Sequence, residues 1–156
     1  LVNLEILNLN DNNINILGNT SLFKDLVNLR ELYLGNFVFY NDGGNDIDFL
    51  DRKLFKNLRR LEILDLSSNN LKEIKYGIFD DLIHLRRLDL DYNGIEYIDE
   101  NAFNNLIYLE KLNLNDNKIR HISRNGLLFK SLINLKKLYL RNAFFLSENE
   151  LNLLNR

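Results

Sequence analysis

The chain lacks proline, cysteine, methionine and tryptophan altogether. Without cysteine there is no disulfide framework and no thiolate metal site. Charge of one sign is also lacking. Twenty Lys and Arg against 22 Asp and Glu leave a net charge of -2 and a pI near 5.7. That balance gives no electrostatic reason to expect nucleic acid or an anionic membrane as partner. No apolar run approaches the roughly 18 residues of a membrane-spanning helix, and no signal peptide is expected because Leu1 already falls inside a repeated motif. Gly-rich phosphate loops, Gly-x-Ser-x-Gly elbows and zinc signatures are missing too. The two histidines, His84 and His121, sit between apolar positions with no cysteine or paired carboxylate at useful spacing. Both are expected on an outer surface. No catalytic residue, cofactor or metal is therefore expected, and the chain is not read as an enzyme.

What is present is leucine and asparagine in a fixed order. The run Leu61-x-x-Leu64-x-Leu66-x-x-Asn69-x-Leu71 returns as Leu85, Leu88, Leu90, Asn93 and Ile95, then as Leu109, Leu112, Leu114, Asn117 and Ile119, at steps of 24 residues. Leu4, Leu7, Leu9, Asn12 and Ile14 fit the same template, while Leu29, Leu32, Leu34 and Leu135, Leu138, Leu140 fit its first half. Leu-x-Leu alternation predicts a short strand with one buried face. Each strand is expected beside its equivalent in the next coil, giving a parallel inner sheet. An asparagine amide both donates and accepts, so Asn12, Asn69, Asn93 and Asn117 are expected to satisfy backbone groups of adjacent coils. Phe23, Phe55, Phe79, Phe103 and Phe129 each stand three residues before the next leucine.

These motifs resemble the leucine-rich-repeat family over nearly the whole chain, in its typical 24-residue class. The resemblance implies an α/β solenoid: a curved right-handed coil with a parallel concave sheet of about six short strands and an irregular or short helical convex side. It also implies that the five phenylalanines form a spine beneath the convex side. Residues 1–156 are read as one array of six units, an uncapped fragment, because the cysteine-bearing caps of such proteins are not seen. One departure from the class is the missing proline beside the apolar pair, where Glu73, Tyr97 and His121 stand instead.

The second and sixth units break the template alike, with Asn36 and Asn142 one residue early and apolar residues following, Val38-Phe39 and Phe144-Phe145. Their likeness suggests a parent that grew by duplicating blocks of about four coils. The second unit is longer by eight residues, and the excess is expected as a protruding loop near 36–51. Its acids Asp42, Asp46, Asp48 and Asp51 fit neither an EF-hand nor a Gly-Gly-x-Gly-x-Asp repeat, so a solvated loop is preferred to a calcium site. The basic run Arg52-Lys53, Lys56, Arg59-Arg60 is interrupted by Leu54, Phe55 and Leu58 and reads as a solvated flank.

Residues between and beside the strand leucines should face the open concave surface. The central row is Asn8, Tyr33, Asp65, Asp89, Asn113, Tyr139; the next outward is Asn10, Gly35, Ser67, Asp91, Asn115, Arg141. Ahead of them runs Ile6, Glu31, Ile63, Arg87, Lys111, Lys137. Tyrosine and arginine anchor interfaces, and carboxylates receive basic ligands. The candidate binding residues are thus Tyr33, Asp65, Asp89, Asp91, Tyr92, Asn113, Asp116, Tyr139 and Arg141. Asn19-Thr20-Ser21 is a candidate glycosylation sequon. The resemblance implies a module that holds a protein or peptide, similar to ectodomains of Toll-like receptors, Slit-type guidance proteins or secreted immune repeat proteins, at the cell surface or outside the cell. The alternative is an intracellular scaffold or regulatory subunit using the same surface.

Overall fold

The computed structural model describes residues 1–15, 17, 22–36, 44–120 and 127–143. The motif leucines do form strands. Ile6–Asn8 (β1), Glu31–Tyr33 (β2), Ile63–Asp65 (β3), Arg87–Asp89 (β5), Lys111–Asn113 (β7) and Lys137–Tyr139 (β8) build one parallel sheet in the order β1-β2-β3-β5-β7-β8. The register pairs Leu7, Leu32, Leu64, Leu88, Leu112 and Leu138 across neighbouring strands, so each coil repeats the one before it without slippage. Leu32, Leu64, Leu88 and Leu112 are fully buried on the inner side of this sheet. Each such leucine contributes roughly 1.5–3 kcal/mol by leaving water.

A second parallel pair, Glu73–Ile74 (β4) with Tyr97–Ile98 (β6), runs on the far side of the coil. The sequence reading did not foresee it. The missing proline helps to explain it, since Tyr97 N–H donates to the Lys72 carbonyl at 3.4 Å and a proline there has no donor.

The convex side holds a single three-residue 3-10 turn, Leu127–Phe129, and no α-helix among the described residues. It advances instead by tandem turns. Leu82 N–H donates to Phe79 O at 3.0 Å and Leu85 N–H to Leu82 O at 3.0 Å, and the same two bonds recur from Phe23, Phe55, Phe103 and Phe129. Three-residue steps bring every third side chain to the same side, which is why Phe-x-x-Leu-x-x-Leu faces inward throughout. Phe55, Phe79 and Phe103 stack with ring centroids 6.2 and 6.3 Å apart. Phe23 is buried with them, and Phe129 is only partly buried against the core.

The asparagine ladder includes a residue outside the expected set, Asn45. Asn69, Asn93 and Asn117 each accept an N–H from the preceding coil, from Ile47, Leu71 and Ile95, at 3.0–3.1 Å. Each donates to carbonyls of its own and the preceding coil, as Asn117 does to Leu114 and Leu90 at 3.0 Å. In the second unit that place belongs to Asn45. It is 4% exposed, accepts from Asn12 and Ile14 N–H at 3.0 Å, and donates to Leu9 and Leu34 carbonyls. The interval from Leu34 to Asn45 is 11 residues against three from Leu66 to Asn69, so the eight extra residues fall between Asn36 and Asn45. Asn36 braces the base of that insertion: its amide donates to Asn45 O at 2.7 Å and to Ser68 O, and accepts from Asn45 N–H. Gly44 permits this closure, since a Cβ there would meet the Asn36 side chain at 2.3 Å. Asn12 stands at the ladder position of the first described coil, with no described coil before it to bridge; it is exposed, and its amide donates to Asn10 O at 2.7 Å as Asn69 does to Ser67 O. Asn142 does not play the part of Asn36. Its amide donates to Asp116, and at the ladder position Ala143 offers its backbone carbonyl to Ile119 N–H at 2.9 Å.

Candidate functional site

A half-buried sheet needs polar side chains on its open face, and here those side chains differ from coil to coil. The strand register sets Tyr33 beside Asp65, Asp65 beside Asp89, Asp89 beside Asn113 and Asn113 beside Tyr139. The outer row stays in step through Ser68 N–H to Asp91 O at 2.8 Å, Tyr92 N–H to Asn115 O at 3.0 Å and Asp116 N–H to Arg141 O at 2.7 Å. The candidate residues therefore share one continuous surface.

Their chemistry is not uniform. Asp89 is 3% exposed. Its Oδ2 accepts from Arg87 Nε at 2.5 Å, and its Oδ1 lies 3.1 Å from Lys111 Nζ, in ionic contact without hydrogen-bond alignment. A buried carboxylate held between two cations is neutralised from within, so Asp89 orders Arg87 and Lys111 rather than facing a visitor. Lys111 in turn lies 5.5 Å from the centre of the exposed Tyr139 ring, a cation–π contact.

Asp65 and Asp91 differ. None of the ion pairs among the described residues includes either. Asp65 Oδ1 accepts Ser67 N–H at 2.9 Å. Burial pushes the Asp91 carboxyl up to about 6; a bond from its own backbone and the Lys111 charge oppose this, while Asp89 and Asp65 add to it. Toward the first coils, Tyr33 donates its hydroxyl to Glu31 Oε2 at 2.6 Å. That bond, with burial and the Glu31 charge, pushes the phenol up to about 12.

At the outer edge Tyr92 is 43% exposed and has a φ of 52°. The residue before the ladder position is left-handed in five coils, and elsewhere it is Asp11, Ser68, Asp116 or Asn142. Short polar residues adopt this conformation readily; a bulky aromatic rarely does. Arg141 reaches across one intervening coil to this ring, donating from Nη2 to the Tyr92 hydroxyl at 2.9 Å and to Asp116 Oδ2 at 2.7 Å. The Arg141 bond, with one from Asn142, holds Asp116 below the usual carboxylate range. Asn113 Oδ1 is used locally, accepting Asn115 N–H at 3.2 Å.

The structure thus brings together all nine candidate binding residues and adds Glu31, Arg87, Lys111 and Asn142 as their partners. His84 is exposed on the outer flank, stacked on Tyr108 at 5.8 Å. His121, Asn19, Asp42, Phe144 and Phe145 lie outside the described residues.

The leucine-rich-repeat family model matches residues 43–95 and 83–142, which carry most of the stacked sheet, the amide ladder and the phenylalanine column. The chain belongs to the leucine-rich-repeat family. Among curated proteins it is similar to podocan of Mus musculus, 46% identical over 56 residues, which is 36% of this chain and 8% of podocan. Among solved structures it resembles the LRIM1/APL1C complex, with a TM-score of 0.71, 27% identity and coverage of 87% of this chain and 24% of that one. It also resembles the TLR13–ssRNA13 complex, with a TM-score of 0.60, 27% identity and coverage of 74% and 18%. The chain spans a quarter or less of each of these relatives.

Proposed function

We propose that this leucine-rich-repeat array is a recognition module that holds a protein or peptide on its concave face. The observation that carries the proposal is Tyr92, an exposed aromatic in a left-handed turn where other coils place Asp, Ser or Asn. Strain of this kind collects at binding sites because packing alone does not select it. Tyr33 and Tyr139 flank it, and the uncompensated Asp65 and Asp91 lie between them, offering aromatic anchors and acceptors for a basic side chain. The reading contains no enzymatic step: arrays of this family serve typically as binding modules, and the carboxylates of this face are structural partners or ligand acceptors.

A linear random-peptide library displayed on phage and panned against the whole chain tests the site. Recovered peptides are expected to lose at least about tenfold in affinity with Tyr92→Ala or Tyr139→Ala, as interface anchors do. Peptides indifferent to both substitutions and to Tyr33→Ala would place recognition elsewhere.

The setting proposed is extracellular or cell-surface, as part of a receptor or secreted protein. Similarity to podocan and to the LRIM1/APL1C and TLR13 structures supports it. The candidate sequon at Asn19 is usable only in the secretory pathway. Reading the parent transcript through both ends of this chain tests the setting. A signal peptide and cysteine-bearing caps are expected, and an uninterrupted cytosolic frame would favour an intracellular scaffold.

A further inference from the structure

The convex surface of one coil carries a charge imbalance that its neighbours lack. Arg52, Lys53, Lys56, Arg59 and Arg60 are all exposed. One coil on, the equivalent positions are Tyr76, Gly77, Asp80, Ile83 and His84, and none is Lys or Arg. Lys56 N–H donates to Lys53 O at 3.1 Å and Leu58 N–H to Phe55 O at 3.2 Å. Lys53 and Lys56 therefore stand one three-residue turn apart on the outer surface, and the exposed Arg59 and Arg60 follow after the left-handed Asn57, at φ 71°.

Of the five cations only Arg52 has an ion-pair partner among the described residues. Arg52 Nη2 is 3.7 Å from Asp80 Oδ2, and Arg60 donates to the neutral Asn28 amide at 2.6 Å. None of the ion pairs among the described residues includes Lys53, Lys56, Arg59 or Arg60, whereas Arg87, Lys111 and Arg141 on the concave face are all paired. Beside these cations opens a cavity of about 320 Å³, with Arg52, Lys53 and Lys56 on one wall and Gly77, Asp80 and Asp81 on the other. Gly77, at φ 83°, keeps it open: a Cβ there would come within 2.4 Å of Arg52 Nε.

From this geometry we infer that the convex surface over residues 52–60 is a binding site for a sulfated polysaccharide chain. Clustered exposed cations gain affinity for a repeating anion chiefly by releasing its counterions. The mixed lining of the cavity favours a sugar over other polyanions. Sulfate esters would meet the cations, while Asp80 and Asp81, which already accept from the Asn105 amide and Asn57 N–H, would use their remaining lone pairs for ring hydroxyls. Single-stranded nucleic acid gains much of its affinity by stacking bases on open aromatic faces. Here the neighbouring Tyr76, 51% exposed, already carries the Arg52 guanidinium on one ring face, 5.2 Å from its centre, which leaves at most the other face for a base.

The test is calorimetric titration of the whole chain with a heparin-derived octasaccharide near physiological salt. Lys53→Gln, Lys56→Gln and Arg59→Gln combined should weaken binding at least about tenfold, while Lys24→Gln, Lys118→Gln and Lys137→Gln combined, with the same change in net charge, should stay within about twofold. Equal losses in both triple variants, or no binding by the unaltered chain, would overturn the inference. So would a single-stranded oligodeoxynucleotide of matched charge binding as tightly as the octasaccharide. Amine acetylation of the unaltered chain gives a check independent of any substitution. The octasaccharide should slow modification of Lys53 and Lys56 but not of Lys118, and unchanged rates at the first two would also overturn it.

Discussion

The inside of the solenoid and its concave surface are built from the same strands but obey different rules. At Leu64, Leu88 and Leu112 the three central coils are identical, and the flanking asparagines and phenylalanines are too. One residue further along the same strands they are Asp65, Asp89 and Asn113. The interior repeats because a coil can bury its apolar groups only against a copy of itself. No such demand acts on the open face, so its composition carries information about something other than folding.

Substitutions sharpen this contrast by separating stability from recognition. The largest effect is expected at the phenylalanine column. Phe79→Ala removes the middle ring between Phe55 and Phe103 and should cost about 3–5 kcal/mol in denaturant unfolding. Asn45→Ala comes next, removing the partner of the Asn12 and Ile14 N–H groups and of the Leu9 carbonyl while Leu34 O keeps Asn69, at a cost of about 2–3 kcal/mol. The same change at Asn12, exposed and bonded only locally among the described contacts, should cost less than about 0.5 kcal/mol. Equal costs at the two asparagines would break the assignment of Asn45 to the ladder.

On the concave face the sign reverses. Tyr92→Gly relieves a left-handed aromatic and should stabilise the chain by about 1 kcal/mol. The smallest effect expected is at Asp91, whose carboxyl is raised to about 6. Between its ordinary value of 3.8 and about 6 the folded chain binds more protons there than the unfolded one, so this group's contribution makes stability fall as pH rises through that window. Asp91→Asn should therefore raise the melting temperature at pH 7.5 and leave it unchanged near pH 3. Carboxyl-detected NMR titration of Asp91 reads the same shift directly, and a midpoint near 4 would contradict it.

Much of the fold was legible because its signal is repetition. Strand positions, register and the phenylalanine column follow from Leu61, Leu85 and Leu109 standing 24 residues apart. Asn45 was missed although Asn45-x-Ile47-x-x-Leu50 reproduces Asn69-x-Leu71-x-x-Ile74. The insertion displaced the signal by eight residues, and Asn36 offered a nearer but false match. The outer sheet of β4 and β6 was not legible, because two-residue strands leave no period to detect. At the candidate site the membership of the concave surface was readable from strand alternation. Its pairing was not: that Asp89 is enclosed by Arg87 and Lys111 while Asp91 is in none of the ion pairs among the described residues depends on side-chain direction across coils. The strain at Tyr92 likewise appears only in the backbone.

The most direct test of the account is the affinity of Tyr92→Gly for a peptide selected on the unaltered chain, measured alongside its unfolding free energy. The account predicts a more stable protein that binds at least about tenfold more weakly, since the aromatic is held there for contact rather than for folding. A variant that binds as well as the parent would contradict it, and would make the left-handed tyrosine an accident of the turn.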